Sequence, residues 1–402
     1  MILCSNNPEV KNMGIFEELQ KEMQEVEELS EHNGYWYSVN HALIILVTGA
    51  LCGIETIKYI HQWAESEPTQ QFLREVFGIN KIMSRAQFYN ILGVVKADEF
   101  KRSFIRWMQK VLSSIVTDSM DAGCVVAGKT IAIDGKAVNS TGKLTEDGSV
   151  LNIVSAYVAE MKMTIGSQEC MSKQGERTAL RELLEMLELF GSIVVADALH
   201  CNKPTIEAIL KAEADYLLVV KNNSSALKKS IEECLKEDNV PSFTTKELNG
   251  GRIETRTAFA TSALGQLANS KNWPNIVTVG AIHRQFENIK HGGKSDEWHF
   301  YISSASLSPE QLLHHARMEW GVESMHWLLD VHFQEDKTAV RDINLQKILN
   351  IVRKISLNLV RLYKNAKHKP SSSLKGIMAA NLYDLAVFAD FVKFFCTVGE
   401  LE

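Results

Sequence analysis

The spacing of apolar residues changes its period near Gly128, and that change constrains the fold more than any other feature of the sequence. Before it the chain reads as helical. "IFEELQKEMQEVEELS" sets Phe16, Leu19, Met23 and Val26 at helical spacing, a stripe that suits core packing or a small dimer seam. The apolar run "ALIILVTGALCGI" (residues 42–54) is shorter than the ~20 residues that span a bilayer, so a buried helix is expected there. In "TQQFLREVFGINKIMSRAQFYNILG" two helical patterns flank "GINKIM", with Ser84 as N-cap of the second. A helix-turn-helix that enters DNA and a plain packed pair both fit.

After Gly128 the segments "TIAID", "NIVSAYVAE" and "MTIGSQE" read as strands. They are succeeded by a helix "ERTALRELLEMLEL", a strand "SIVVAD", a helix "PTIEAILKAEA" and a strand "DYLLVVK". This order predicts an α/β domain with a mixed sheet. Residues of about 240–304 return to period two in "SFTTKEL", "RIETRTAFA", "NIVTVGAIH" and "EWHFYISS", with "LNGGR" as a hairpin signal. Two long helical stretches come next, "SPEQLLHHARMEWGVESMHWLLDVHF" and "NLQKILNIVRKISLNLVRLYKNA". The expected division is a helical N-terminal domain (1–125), an α/β domain (126–365) with the β-rich insert, and a helical tail (366–402).

Charge is unevenly placed. The net charge is −6, and seven Glu against Lys21 between positions 17 and 31 supply as much by themselves. Nine basic residues against Asp342 lie between Lys337 and Lys369, a stripe that suits either phosphate backbone or a solvated helix face. The seven cysteines are scattered without a C-x-x-C, which argues against a disulfide framework or a zinc ribbon. With no signal-like segment, a cytoplasmic protein is expected.

"GCVVAGKTIAIDGKAVNSTG" admits two chemistries. Gly123, Gly128, Lys129 and Thr130 match a phosphate-binding loop, which would require a helix to begin at the lysine. The segment "TIAID" at that point suits a strand instead. "TIAID" and "SIVVAD" then both end in aspartate, and carboxylates at neighbouring strand ends can share divalent ions that activate an attacking oxygen on a phosphodiester. Spacing alone does not choose a third acid among Glu319, Glu323, Asp330, Glu335 and Asp336.

The set "IAIDGKAVNSTG", "LNIVSAYVAE", "SIVVADALHCNK", "DYLLVVKNN", "GGRIETR" and "EWGVESMHWLLDVHFQED" resembles the H-repeat-associated insertion-sequence transposases. The likeness runs in order from about Gly34 to Asn365. It implies an RNase H-like mixed sheet with flanking helices, preceded by an all-helical domain that helps bind DNA ends. It also implies a catalytic and metal-holding triad of Asp134, Asp197 and Glu323, with Mg²⁺ as cofactor and Mn²⁺ able to substitute. The implied partners are double-stranded DNA, as element ends and target, and a second copy of the chain on that DNA; nucleoid association would result. Where the family pattern carries a histidine this chain has Glu319, and where it reads Lys-Gly-Asn-Gln this chain reads Lys221, Asn222, Asn223, Ser224.

Candidate DNA contacts are Lys136, Lys221, Arg252, Arg256, Arg317, His326, Arg341 and Arg353. Arg252 and Arg256 share one face of a strand with Glu254 between them, which also suits cross-strand ion pairs. Glu323, His326, Trp327 and Asp330 share one helix face; His326 suits orienting a carboxylate, meeting a phosphate or a core hydrogen bond. Trp320 and Trp327 are expected in the core, and His314-His315 are read as structural, without a partner at metal spacing. A DNA-binding protein without catalysis and an NTPase are the rival readings.

Overall fold

The computed structural model describes residues 14–29, 37–115, 125–144, 148–236, 239–249, 252–265, 267–288 and 292–396. Gly123, Cys4, Cys124 and Glu31 lie outside them. The described residues open with α1 (Ile15–Leu29), α2 (Val39–Leu51), α3 (Ile57–Ala64), α4 (Glu67–Phe77), α5 (Arg85–Val94) and α6 (Ala97–Ile115). Their ends obey capping chemistry. Ser38 accepts from the His41 amide, and Ser84 forms a reciprocal capping box with Gln87. Gly78 closes α4 at φ 67°, a left-handed position that suits glycine.

The α1 stripe is core: Phe16, Leu19, Met23 and Val26 are all buried within the single chain. On its other side the acidic residues face α6. Arg106 pairs with Glu22 and Glu25, and Lys110 pairs with Glu18 and Glu22. Much of the acidic N-terminal charge is therefore answered locally.

The α/β part runs β1 (Thr130–Val138), β2 (Leu151–Val158), β3 (Met163–Cys170), α7 (Glu176–Met186), β4 (Ile193–Ala196), α8 (Lys203–Lys211), β5 (Asp215–Val220) and α9 (Ser225–Cys234). Then come β6 (Ser242–Asn249), β7 (Arg252–Thr261), β8 (Thr278–Asn288) and β9 (Lys294–Ser303). All nine strands form one sheet in the order β3-β2-β1-β4-β5-β9-β8-β7-β6. β1, β4 and β5 are parallel; the other pairs are antiparallel. The β-rich insert thus continues the same sheet through the β5–β9 pairing.

The chain ends in α10 (Pro309–Met318), α11 (Trp320–Phe333), α12 (Ile343–Lys367), α13 (Leu374–Tyr383) and α14 (Leu385–Phe394). The first of the two long helical stretches is therefore two helices, joined at Glu319, whose φ −52° and ψ −40° are still helical. The middle of α12 is enclosed, which takes three of the nine basic residues out of the surface stripe, while Lys337, Arg341, Lys367 and Lys369 remain exposed. Arg353, Lys354 and Arg361 are 7%, 1% and 8% exposed. One apolar cluster runs from Ile15 through the sheet to Phe395, so helical layer and sheet share a core. The C-terminal helices close on the N-terminal ones: Phe388 stacks on Phe72, and the Phe16 amide donates to the Phe395 carbonyl (3.2 Å).

Candidate functional site

β1 and β4 lie side by side and parallel, with Ile133 paired to Ala196. The next residue on each is an aspartate, so register brings Asp134, midway along β1, beside Asp197, which follows the end of β4. The expectation that both close a strand holds only for Asp197, because β1 runs on to Val138 against β2. The loop carrying Asp197 is pinned from three directions. Its Oδ1 accepts from the Leu199 amide (2.9 Å), Asn223 Nδ2 donates to the Ala198 carbonyl (2.9 Å), and Arg177 Nε donates to the Leu199 carbonyl (2.9 Å). Asn223, in the altered Lys221–Ser224 segment, thus holds the aspartate loop.

α11 crosses this end of the sheet. Gly321 allows the approach, since a Cβ there would lie 3.0 Å from the Tyr157 ring on β2. Glu319 and Glu323, one turn apart, join Asp134 and Asp197 in lining a cleft of about 250 Å³. His326 is 9% exposed, and its Nδ1 lies 3.5 Å from Asp134 Oδ2. It contacts the carboxylate rather than open surface, which corrects its reading as a DNA contact. Burial, and then the charges of Asp197, Asp134 and Glu323, push Glu319 up to about 7. Four acids around a partly closed space repel one another, and a divalent cation is the chemical remedy. The donors are hard oxygens, so the set fits Mg²⁺ or Mn²⁺.

The cleft also has basic residues. Lys221, Arg256, Arg284 and Arg317 line it with the acids. Trp320 lines it too, 47% exposed, with the Arg284 guanidinium 5.2 Å and that of Arg256 6.0 Å from its ring centre. Trp327 is 60% exposed. Both tryptophans are therefore on the surface, against expectation: α11 rests on the sheet by Val322, Met325, Leu329 and Phe333, leaving the tryptophan side outward.

The arginines of the insert are held by acids. Arg256, 5% exposed, pairs across strands with Glu247 (3.1 Å) and also with Glu254, which Arg284 shares. Arg317 grips Glu247 with both terminal nitrogens (2.6 and 3.0 Å) and, with Arg256, holds that carboxyl below its usual range. Arg252 and Arg341 are exposed, as is Lys221.

Two further candidates face inward. Lys136 bonds Glu335 (2.9 Å) and Asp330, and Arg353 Nη1 lies 3.8 Å from Glu335, itself 1% exposed. Their charges are matched inside the protein, which corrects their reading as phosphate contacts. Arg284 is a cleft residue that no sequence motif marks. Its signal is the pairing Arg256↔Arg284, which depends on a register set far along the chain. Glu160, which closes on His314-His315, ends the motif "LNIVSAYVAE", but nothing in that motif singles it out as their partner.

The phosphate-loop reading fails on geometry. A strand begins at Thr130 where a helix is required, and Gly128 (φ 72°) turns the chain by donating its amide to Gly191. Among the described residues, no helix is long and apolar enough to cross a membrane.

Residues 127–359 match the family model described as "Transposase DDE domain". "Putative transposase YncI" of Escherichia coli O157:H7 is 31% identical over 277 residues, 67% of this chain and 68% of that protein. "H repeat-associated putative transposase YhhI" of Escherichia coli K12 is 28% identical over 356 residues, 85% of this chain and 91% of that protein. A piggyBac transposase synaptic complex with hairpin DNA aligns over 97% of this chain and 80% of its own, at 12% identity and a TM-score of 0.43, too remote a likeness to bear on the site. With more than half of its length matched by the domain model, the chain belongs to the DDE transposases, alongside the H-repeat-associated members.

Proposed function

We propose that this transposase cuts and joins DNA by metal-dependent phosphodiester transfer, with Asp134, Asp197 and Glu323 holding Mg²⁺, or Mn²⁺ in its place. The observation that carries the reading is the cleft that these three acids and Glu319 line together with Lys221, Arg256, Arg284 and Arg317. The carboxylates suit the cations, and the basic residues suit the phosphate backbone that must lie against them. Bound there, the ions would polarise the attacking oxygen and stabilise the leaving oxygen.

The chain's own part is positioning. Asp134 and Asp197 are fixed by strand register and by the pinned loop, and His326 orients Asp134. Arg317 and Arg284, half-open at the rim, would hold phosphates, with Lys221 beside the acids and Arg252 and Arg341 further out. Hydrolysis of one strand frees a 3′-hydroxyl, which then attacks target DNA in line. Two DNA ends call for two active sites, so the working form would be a dimer on DNA, acting in the cytoplasm at the nucleoid.

The test is strand cleavage of element-end DNA with Mg²⁺, comparing the native chain with Asp134→Ala and Asp197→Ala. Loss of cutting on the order of 10³-fold or more, with DNA binding kept, is expected. Retained cutting overturns the assignment. Binding of DNA without any Mg²⁺- or Mn²⁺-dependent cutting by the native chain favours a non-catalytic DNA-binding role.

A further inference from the structure

We propose that Glu160, His314 and His315 form a second metal site, one that takes a borderline divalent ion such as Zn²⁺ rather than Mg²⁺. Glu160 lies in the turn between β2 and β3, and the two histidines lie near the end of α10. One ligand atom from each falls within 4.8 Å of the others, and His314 Nε2 is 3.8 Å from Glu160 Oε1. Two imidazoles and a carboxylate are a zinc donor set with a position left for water. The cleft at Asp134 is instead dominated by carboxylate oxygen, from Asp134, Asp197, Glu319 and Glu323.

Thr130, from the stretch that imitates a phosphate loop, prepares these ligands. Its amide donates to both Glu160 oxygens (2.9 and 3.0 Å), which fixes the carboxylate. Its hydroxyl lies 2.6 Å from Glu160 Oε1 and 2.8 Å from His315 Nδ1. A hydroxyl has one proton. Given to Glu160, it leaves the hydroxyl oxygen to accept from His315 Nδ1–H, so that Nε2 carries the ring's free lone pair. His315 is 7% exposed, so its ring is held in place by the surrounding protein. His314 is half-exposed, which gives an ion a path in.

The site is separate from the cleft. Thr130 precedes Asp134 by four residues of β1, about 13 Å at strand spacing. An ion there would tie α10 to the start of β1 and the β2–β3 turn, and α10 leads directly into the helix that carries Glu323. It would bind whether or not the cleft cuts DNA.

Metal-free full-length chain would be titrated with Zn²⁺ and, as an optical probe, with Co²⁺. With Mg²⁺ in excess to occupy the cleft, the expected result is tight uptake of one equivalent that Mg²⁺ does not displace, with visible Co²⁺ absorption free of thiolate charge transfer. His314→Ala and Glu160→Gln should each weaken uptake by at least about tenfold, a loss no smaller than that for outer-shell partners. Asp134→Asn, in the cleft, should leave uptake unchanged. His314 is exposed enough for its alanine variant to fold, so that variant decides if Glu160→Gln does not. No uptake, uptake indifferent to His314→Ala, uptake lost with Asp134→Asn, or a thiolate band would each overturn the proposal.

Discussion

Glu319, half-buried on the cleft, and Glu335, enclosed, flank the two ends of α11, and the protein shifts them in opposite directions. Burial raises both. At Glu319 the neighbours Asp197, Asp134 and Glu323 add to it, and the carboxyl is pushed up to about 7. At Glu335 the cations Lys136, Arg353 and Lys354 outweigh it, and the carboxyl is held at about 2. Asn350 Nδ2 completes that set with a 2.8 Å hydrogen bond. Matched charge in the interior is architecture. Unmatched charge, kept open to a cleft, stores a demand for a cation.

The largest expected stability effect comes from removing the matched acid. Glu335→Ala leaves Lys136, Arg353 and Lys354 without their shared anion, and should cost about 3–5 kcal/mol in urea unfolding. A cost under about 1 kcal/mol would show that the cluster is not held together by that carboxylate. Next is acid. Because the folded value of Glu335 lies below its ordinary 4.5, its stabilisation is complete above about pH 4.5 and fades as pH falls towards about 2. Native chain should lose on the order of 3 kcal/mol across that window. Glu335→Gln should show a correspondingly flatter profile there.

A smaller effect of opposite sign belongs to the other glutamate. In chelator at pH 8, Glu319→Gln should stabilise the protein by about 1–3 kcal/mol, because it removes one of four crowded negative charges. Destabilisation would mean that the cleft is already neutralised. The smallest effect is at Trp327, whose outward side chain predicts a change within about 0.5 kcal/mol for Trp327→Ala in the same unfolding measurement.

Local pattern carries much of this architecture. The strands from "TIAID" to "EWHFYISS" and the Ser84 cap are legible, because period, turn residues and caps act over a few positions, whereas β1 runs four residues past Asp134, where the pattern places its end. Features that escape such a reading depend on partners distant in the chain. Arg353 and Lys354 of α12 look like part of a surface stripe until the charges of Glu335 and Glu169 are seen to lie near them inside. Trp320 and Trp327 look like core until the face that rests on the sheet is known. His314-His315 lack a partner in sequence, and only the β2–β3 turn supplies Glu160, 154 positions earlier than His314. The α9 helix is not marked by the pattern, and the insert's continuity with the main sheet rests on the β5–β9 pairing, which spans more than 70 residues.

The hydrogen bond from the Phe16 amide to the Phe395 carbonyl has a consequence for biogenesis. At roughly 5–20 residues per second, the ribosome would release Phe395 some tens of seconds after Phe16. Through that interval the N-terminal layer has neither its partner for that amide nor the aromatic cover that Phe388 gives Phe72. The nascent chain would expose sticky surface until the last helix emerges, and translation speed and chaperone supply would govern how much finished protein accumulates.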